Sequence, residues 1–250
     1  MKHYTMRDIL ASYTPEKRHS TSFWAKVFSR PLSFLLTYLL INIGFSANVV
    51  SVVSIFVALA ASLFLILGPD FFWVGIVLFL FWDVLDCTDG NIARVKKQSS
   101  VAGEYLDAVS GYTAPAFIYL AVGVAAYYTT DYLHHYEFVF IILGAVASIS
   151  DILSRIIYQK FAVTEYKLGC TQKSIEQERT SGIKKTADIL MRNLTYSSLF
   201  MPLLVAAQFS QHFDVLIVLY ALYDMVILGG TFVYFIHKVL LWKVSEERHV

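Results

Sequence analysis

The chain alternates long apolar runs with short polar breaks, and the runs have the length of membrane crossings. A spanning helix needs about 20 mostly apolar residues, and six stretches qualify: Ala47–Leu67, Phe71–Val95, Ala102–Tyr128, Glu137–Lys160, Asn193–Phe209 and Asp214–Leu241. The first is closed by Gly68-Pro69-Asp70, and the fifth is the shortest. Ahead of them, Phe23, Trp24, Val27 and Phe28 recur at helical spacing beside Lys26 and Arg30. That pattern predicts a helix lying in the membrane interface. Pro31–Ile43 is apolar but too short to span, which predicts a re-entrant or surface helix on the same face, and Ser46 is placed to cap the first span. The expected fold is all-α and integral to the membrane: six transmembrane helices preceded by an interfacial or re-entrant N-terminal helix. The expected organisation is an N-terminal segment over 1–46, one membrane domain over 47–243 and a tail over 244–250.

Composition agrees with the pattern. Hydrophobic residues make up 57% of the 250 and charged residues only 16%, against about 25% charged in a soluble globular domain. A net charge of +1 gives no reason to expect nucleic acid, but the placement of charge is informative. All 20 Lys and Arg residues fall in the N-terminal segment, the turn between spans two and three, the end of span four with its connection to span five, or the C-terminal end. The other three connections carry none. Basic residues favour the cytoplasmic side, so both termini are expected there, in a multi-pass protein of the cytoplasmic membrane. No apolar core of a cleavable leader is seen in the first 30 residues. Cys87 and Cys170 form no metal-like cluster and are read as free thiols. The mixed-charge segment 160–192 is read as a solvated loop with a short helix.

Five acids break the apolar pattern at one end of spans two and three: Asp83, Asp86, Asp89, Glu104 and Asp107. An ionised side chain inside a span costs roughly 2.5–3.5 kcal/mol on insertion scales, so each needs a partner or a task. Asp86 and Asp89 are three residues apart and share a helix face. Gly90 and Ala93 continue that side with almost no side chain, and Arg94 follows. On the next span Gly103, Asp107 and Gly111 form one stripe. Clustered carboxylates repel one another without a cation. Mg²⁺ takes oxygen ligands and is commonly shared with substrate phosphates, and arginine suits the phosphates themselves. The competing reading pairs the acids with Arg94, Lys96 and Lys97 as structural ion pairs.

The run LDCTDGNIARVKKQSSVAGEYLDAVSGY resembles a family signature. D-x-x-D-G-x-x-A-R, eight residues, then G-x-x-x-D is similar to that of the CDP-alcohol phosphotransferases, and here it is carried by Asp86, Asp89, Gly90, Ala93, Arg94, Gly103 and Asp107. The resemblance implies a homodimeric membrane enzyme using Mg²⁺ or Mn²⁺. It would transfer a phosphoryl-alcohol or phosphatidyl group from a CDP-linked donor to an acceptor alcohol and release CMP, as in phospholipid synthesis. Asp86, Asp89 and Asp107 would bind metal; Gly90, Ala93, Arg94 and Gly103 would line the CDP pocket.

One position departs. The family pattern closes on a further aspartate that serves as metal ligand and base, and Gly111 stands there. Three explanations are open. Asp83, one turn before Asp86, supplies the missing carboxylate; the acceptor needs no base; or the chain binds CDP-lipid and metal with little turnover. A cation transporter built on intramembrane acids is a further alternative. Asp151 and Arg155 are spaced to pair, and Arg155 is also a candidate for an anionic substrate group. Asp224 has no assigned role.

Overall fold

The computed structural model of the chain describes residues 3–98, 100–132, 135–167 and 193–246. The described residues form helices joined by turns, with no strand among them: α1 (Met6–Ala11), α2 (Pro15–Ser20), α3 (Arg30–Asn42), α4 (Ala47–Ile66), α5 (Phe72–Lys96), α6 (Val101–Thr129), α7 (Phe138–Lys167), α8 (Phe200–Ser210) and α9 (Phe213–Glu246). Five of these, α4, α5, α6, α7 and α9, are long and apolar enough to cross a membrane. The all-α, multi-pass architecture expected from the pattern is therefore present. The segment expected as span five is the exception in length. Its helix α8 has 11 residues, about 17 Å at 1.5 Å per residue. Pro202 gives a local reason for where it begins, since proline is accepted in the first helical turn and breaks a ladder further in. The stretch 168–192, which holds Cys170 and most of the expected loop, and residues 247–250 of the expected tail lie outside the described residues.

Caps set the ends as the sequence suggests. Ser46 accepts from the Val49 amide at the start of α4. Ser100 accepts from Gly103 at the start of α6. Between α5 and α6 the chain reverses through Lys97 in the left-handed region at φ 52°, with the Gln98 amide returning to the Ala93 carbonyl. This short turn puts the C-terminal end of α5 beside the N-terminal end of α6.

Small residues govern how the spans cross. A Cβ on Gly75 would stand 2.8 Å from the Ala61 carbonyl oxygen of α4, and one on Gly123 would stand 2.4 Å from the Phe140 carbonyl oxygen of α7. Close backbone approach of this kind is how helices associate where lipid removes most of the hydrophobic drive. α4 lies along both α5 and α6, α7 packs between α6 and α9, and α5 and α6 touch only sparingly. The core between them holds Phe72, Phe79, Trp82, Tyr119, Phe200 and Phe213. Exposed apolar side chains such as Phe56, Phe81, Ile142 and Val226 face outward from the spans.

The N-terminal segment is folded against the bundle. The stretch expected as an interfacial helix is helical and widened: Ala25–Ser29 is a π-helix running directly into α3, with the Arg30 amide bonded to the Ala25 carbonyl. Pro31, in the first turn of α3, has no amide to give and sits next to this irregularity. α3 packs on α5. Its inward face carries Ser33 and Thr37, fully buried, and then Ile41, whereas Leu32, Leu35, Leu39 and Ile43 are exposed. That arrangement suits a helix lying in the membrane surface with its apolar side toward lipid.

Candidate functional site

Because α4 holds α5 and α6 apart, a cleft of about 620 Å³ opens between their ends. α5 contributes Asp86, Asp89, Gly90, Ala93 and Arg94; α6 contributes Gly103, Glu104 and Asp107; α4 forms the floor with Asn48 and Ser51. The structure thus brings Asp86, Asp89, Gly90, Ala93, Arg94, Gly103 and Asp107 of the signature run to one cleft, while Gly111, Lys96 and Lys97 do not line it.

Asp89 and Arg94 are positioned by neighbours. Ser51 donates to Asp89 at 2.6 Å. One turn along α4, the Ser54 and Ser110 hydroxyls lie 2.6 Å apart, and the Trp82 indole donates to Ser110 at 3.2 Å. This buried polar node ties α4, α5 and α6 together next to the aspartates. Gly90 leaves space that Arg94 uses: a Cβ there would lie 3.2 Å from the guanidinium. Gly103 lets α6 close on α4, since its Cβ would lie 3.1 Å from the Asn48 amide oxygen. Asn91, fully buried, accepts from Arg94 at 2.6 Å and from Arg30 at 3.1 Å.

The carboxylates suit a hard divalent cation in kind, because they are oxygen donors facing one cleft. Among the described residues, no three acidic, histidine or cysteine side chains converge as a ready-made metal group. Asp89 is buried at 2% exposure, whereas Asp107 is open to the cleft. Lys17 of α2 stands at the rim. Desolvation, then repulsion from Arg30 and Arg94, holds its amine below the usual lysine range. Lys17, Arg30 and Asn91 were not marked by sequence reasoning. The available signal was the pair Ser33 and Thr37 on an otherwise apolar helix, a polar stripe that had to face something.

Asp83 and Arg155 lie outside this cleft. Asp83 is buried and accepts from the Trp24 indole at 3.2 Å and from Ser29. It lines a smaller cavity of about 200 Å³ that also reaches Asp86. Arg155 makes a two-pronged pair with Asp151, at 2.6 and 3.0 Å, as the spacing predicted. Its guanidinium lies 5.0 Å from the Tyr196 ring centroid and 5.8 Å from that of Tyr112. With Asp224 and Tyr223 these residues line a second cavity of about 520 Å³. Asp224 is 3% exposed, and its Oδ2 has no hydrogen-bond partner.

The place of the departure from the signature is filled by a tyrosine. The Tyr196 hydroxyl donates to the Gly111 carbonyl at 3.0 Å, and a Cβ on Gly111 would meet only that hydroxyl, at 3.7 Å. Pro115 explains the bond. It lies inside α6, one turn beyond Gly111, and proline has no amide to offer the carbonyl four residues back. Tyr196 supplies the missing donor.

Comparison with curated proteins gave no match, and comparison with solved structures gave none. A family model does match, over residues 45–222, and its description is CDP-alcohol phosphatidyltransferase. That range takes in most of the chain and every cleft residue contributed by α4, α5 and α6, and the chain belongs to the CDP-alcohol phosphatidyltransferase family.

Proposed function

We propose that the chain transfers a phosphoryl-alcohol or phosphatidyl group from a CDP-linked donor to an acceptor alcohol, releasing CMP in the synthesis of a phospholipid or related polar lipid. The observation that carries this reading is the single cleft holding Asp86, Asp89, Asp107 and Arg94 at the end of two spans. Asp86, Asp89 and Asp107 would hold Mg²⁺ or Mn²⁺, which supplies charge neutralisation at the diphosphate and the leaving group. Gly90, Ala93, Arg94 and Gly103 line the space for the CDP portion. The acceptor oxygen attacks the phosphorus that bears the donor's alcohol. The P–O–P bridge breaks, CMP leaves with the bridging oxygen, and the acceptor's proton passes to a carboxylate.

Asp107, open to the cleft, and Asp83, on the small cavity beside Asp86, are the carboxylates we assign to that proton. The cleft faces the cytoplasm with both termini, following the basic residues, in a homodimer. The second cavity, with Arg155, is assigned to an anionic group of the acceptor. A second reading rests on Tyr196: with a phenol and no carboxylate beside Gly111, the acceptor needs no base at that place or the chain binds without fast turnover.

The test is CMP release from CDP-diacylglycerol with pooled polar alcohols, followed by mass spectrometry of the lipid product. Asp107→Asn should abolish release. Asp83→Asn should slow it by about 10²–10⁴-fold, the usual worth of a general base. A wild-type rate for Asp83→Asn removes Asp83 from the proton path. No CMP from the wild type with any acceptor favours binding without turnover.

A further inference from the structure

Two guanidiniums in this protein share one oxygen. Arg94 Nη2 donates to the Asn91 side-chain oxygen at 2.6 Å, and Arg30 Nη1 donates to the same atom at 3.1 Å. The Asn91 amide nitrogen cannot take the oxygen's place, because it donates to Ser33 at 3.0 Å and to Thr37 at 3.2 Å. Both hydroxyls are committed as donors within α3, Ser33 to the Arg30 carbonyl and Thr37 to the Ser33 carbonyl. The asparagine is therefore fixed in one orientation, and its oxygen sets the two guanidiniums side by side.

Among the described residues, no carboxylate oxygen lies within 4.0 Å of either guanidinium. The other group against Arg30 is the Tyr13 ring, 5.4 Å from the guanidinium carbon. Arg30 is 8% exposed, and the Nε atoms of both arginines are buried without a hydrogen-bond partner. Like charges brought together in a partly buried place repel, and the Asp86 and Asp89 carboxylates that share the cleft offset this only from beyond ion-pair distance. Both arginines line the aspartate cleft.

We infer that Arg30 and Arg94 form a paired clamp for the two phosphates of a nucleoside diphosphate, and that Asn91 is the positioning residue that sets the pair. The inference rests on the functional reading above and adds a residue that no family resemblance supplies, since the match begins at residue 45 and Arg30 precedes it. A neutral amide suits the task better than a carboxylate, because it orients both guanidiniums and leaves their charge for the ligand. Guanidinium is the group that meets phosphate oxygens with several N–H donors at once.

The test measures equilibrium binding of CDP and of CMP to the full-length protein in detergent micelles with Mg²⁺, by titration calorimetry. Variants are Arg30→Ala, Arg30→Lys and Asn91→Asp, the last keeping the shape while adding a charge that neutralises the clamp. Arg30→Ala and Asn91→Asp should weaken CDP about 10- to 100-fold, the span expected for losing a charge-assisted contact. CMP, with one phosphate, should weaken less, and Arg30→Lys should recover part of the loss. A variant that merely misfolds loses both ligands alike, and unfolding temperatures identify it. CDP binding at wild-type strength in Arg30→Ala and Asn91→Asp overturns the clamp while the transferase reading stands. A wild type that binds neither nucleotide and releases no CMP overturns both.

Discussion

At the scale of single residues, the most telling arrangement is the one at Gly111. Read in the chain, glycine there is a lost carboxylate. In the fold it belongs to a local set of three: Pro115 withholds an amide from the Gly111 carbonyl, and Tyr196 provides a hydroxyl at 3.0 Å. Tyr196 is buried against Trp82, with ring centroids 5.7 Å apart. A buried carbonyl left without a donor costs about 1–3 kcal/mol. Tyr196→Phe should therefore lower the unfolding temperature by that equivalent, as followed by thermal unfolding in detergent. An unchanged midpoint would mean that water already serves the carbonyl. Gly111→Ala should be tolerated, since its Cβ meets the hydroxyl at ordinary contact distance. The aspartates, Arg94 and the Asp151–Arg155 pair were legible because their spacing lies within single helices. Tyr196, Arg30 and Lys17 were not, because they reach the site from segments whose distance along the chain says nothing about proximity.

At the scale of elements, glycine is used in a different way where α6 crosses α7. Gly123 and Gly144 face each other with Cα atoms 3.2 Å from the other's ideal Cβ position or nearer, and a Cβ on Gly144 would stand 2.6 Å from the Tyr119 carbonyl oxygen. Backbone cannot yield as a flexible side chain does, so Gly144→Val should force the helices apart and cost about 1–3 kcal/mol, the usual range for overpacking. The same unfolding assay reads it, and a wild-type midpoint would show that the crossing has slack. The long helices were readable from hydropathy alone, and Ser46 and Ser100 caps follow from ordinary capping chemistry. What hydropathy could not give was the rotation of α3. Ser33 and Thr37 are turned inward with Ile41, because the Asn91 amide needs partners there.

At the scale of the molecule, alternation of the spans puts the α5–α6 turn and the α6–α7 connection at opposite ends of the bundle. Membrane-impermeant maleimide can test the side each faces, in a background with Cys87 and Cys170 replaced by serine. Asp131→Cys should react in intact cells, and Gln98→Cys only after permeabilisation. The reverse pattern would place the aspartate cleft on the outer side. The long helices were legible: among the described residues five are long and apolar enough to cross a membrane, and the run expected as span five, with its early proline, holds the shorter α8.

The pinning of Asp83 by Trp24 and Ser29 bears on where this protein can be cut. A fragment trimmed to the family match would start at residue 45 and keep every signature residue, so by sequence it would look whole. It would also strip Asp83 of two donors, and Asn91 of Ser33, Thr37 and one of its two guanidiniums. A module's edge drawn by likeness therefore passes inside the unit that answers the polar atoms of Asp83 and Asn91. Truncations, chimeras and transplants of this domain need the first 44 residues to travel with the rest.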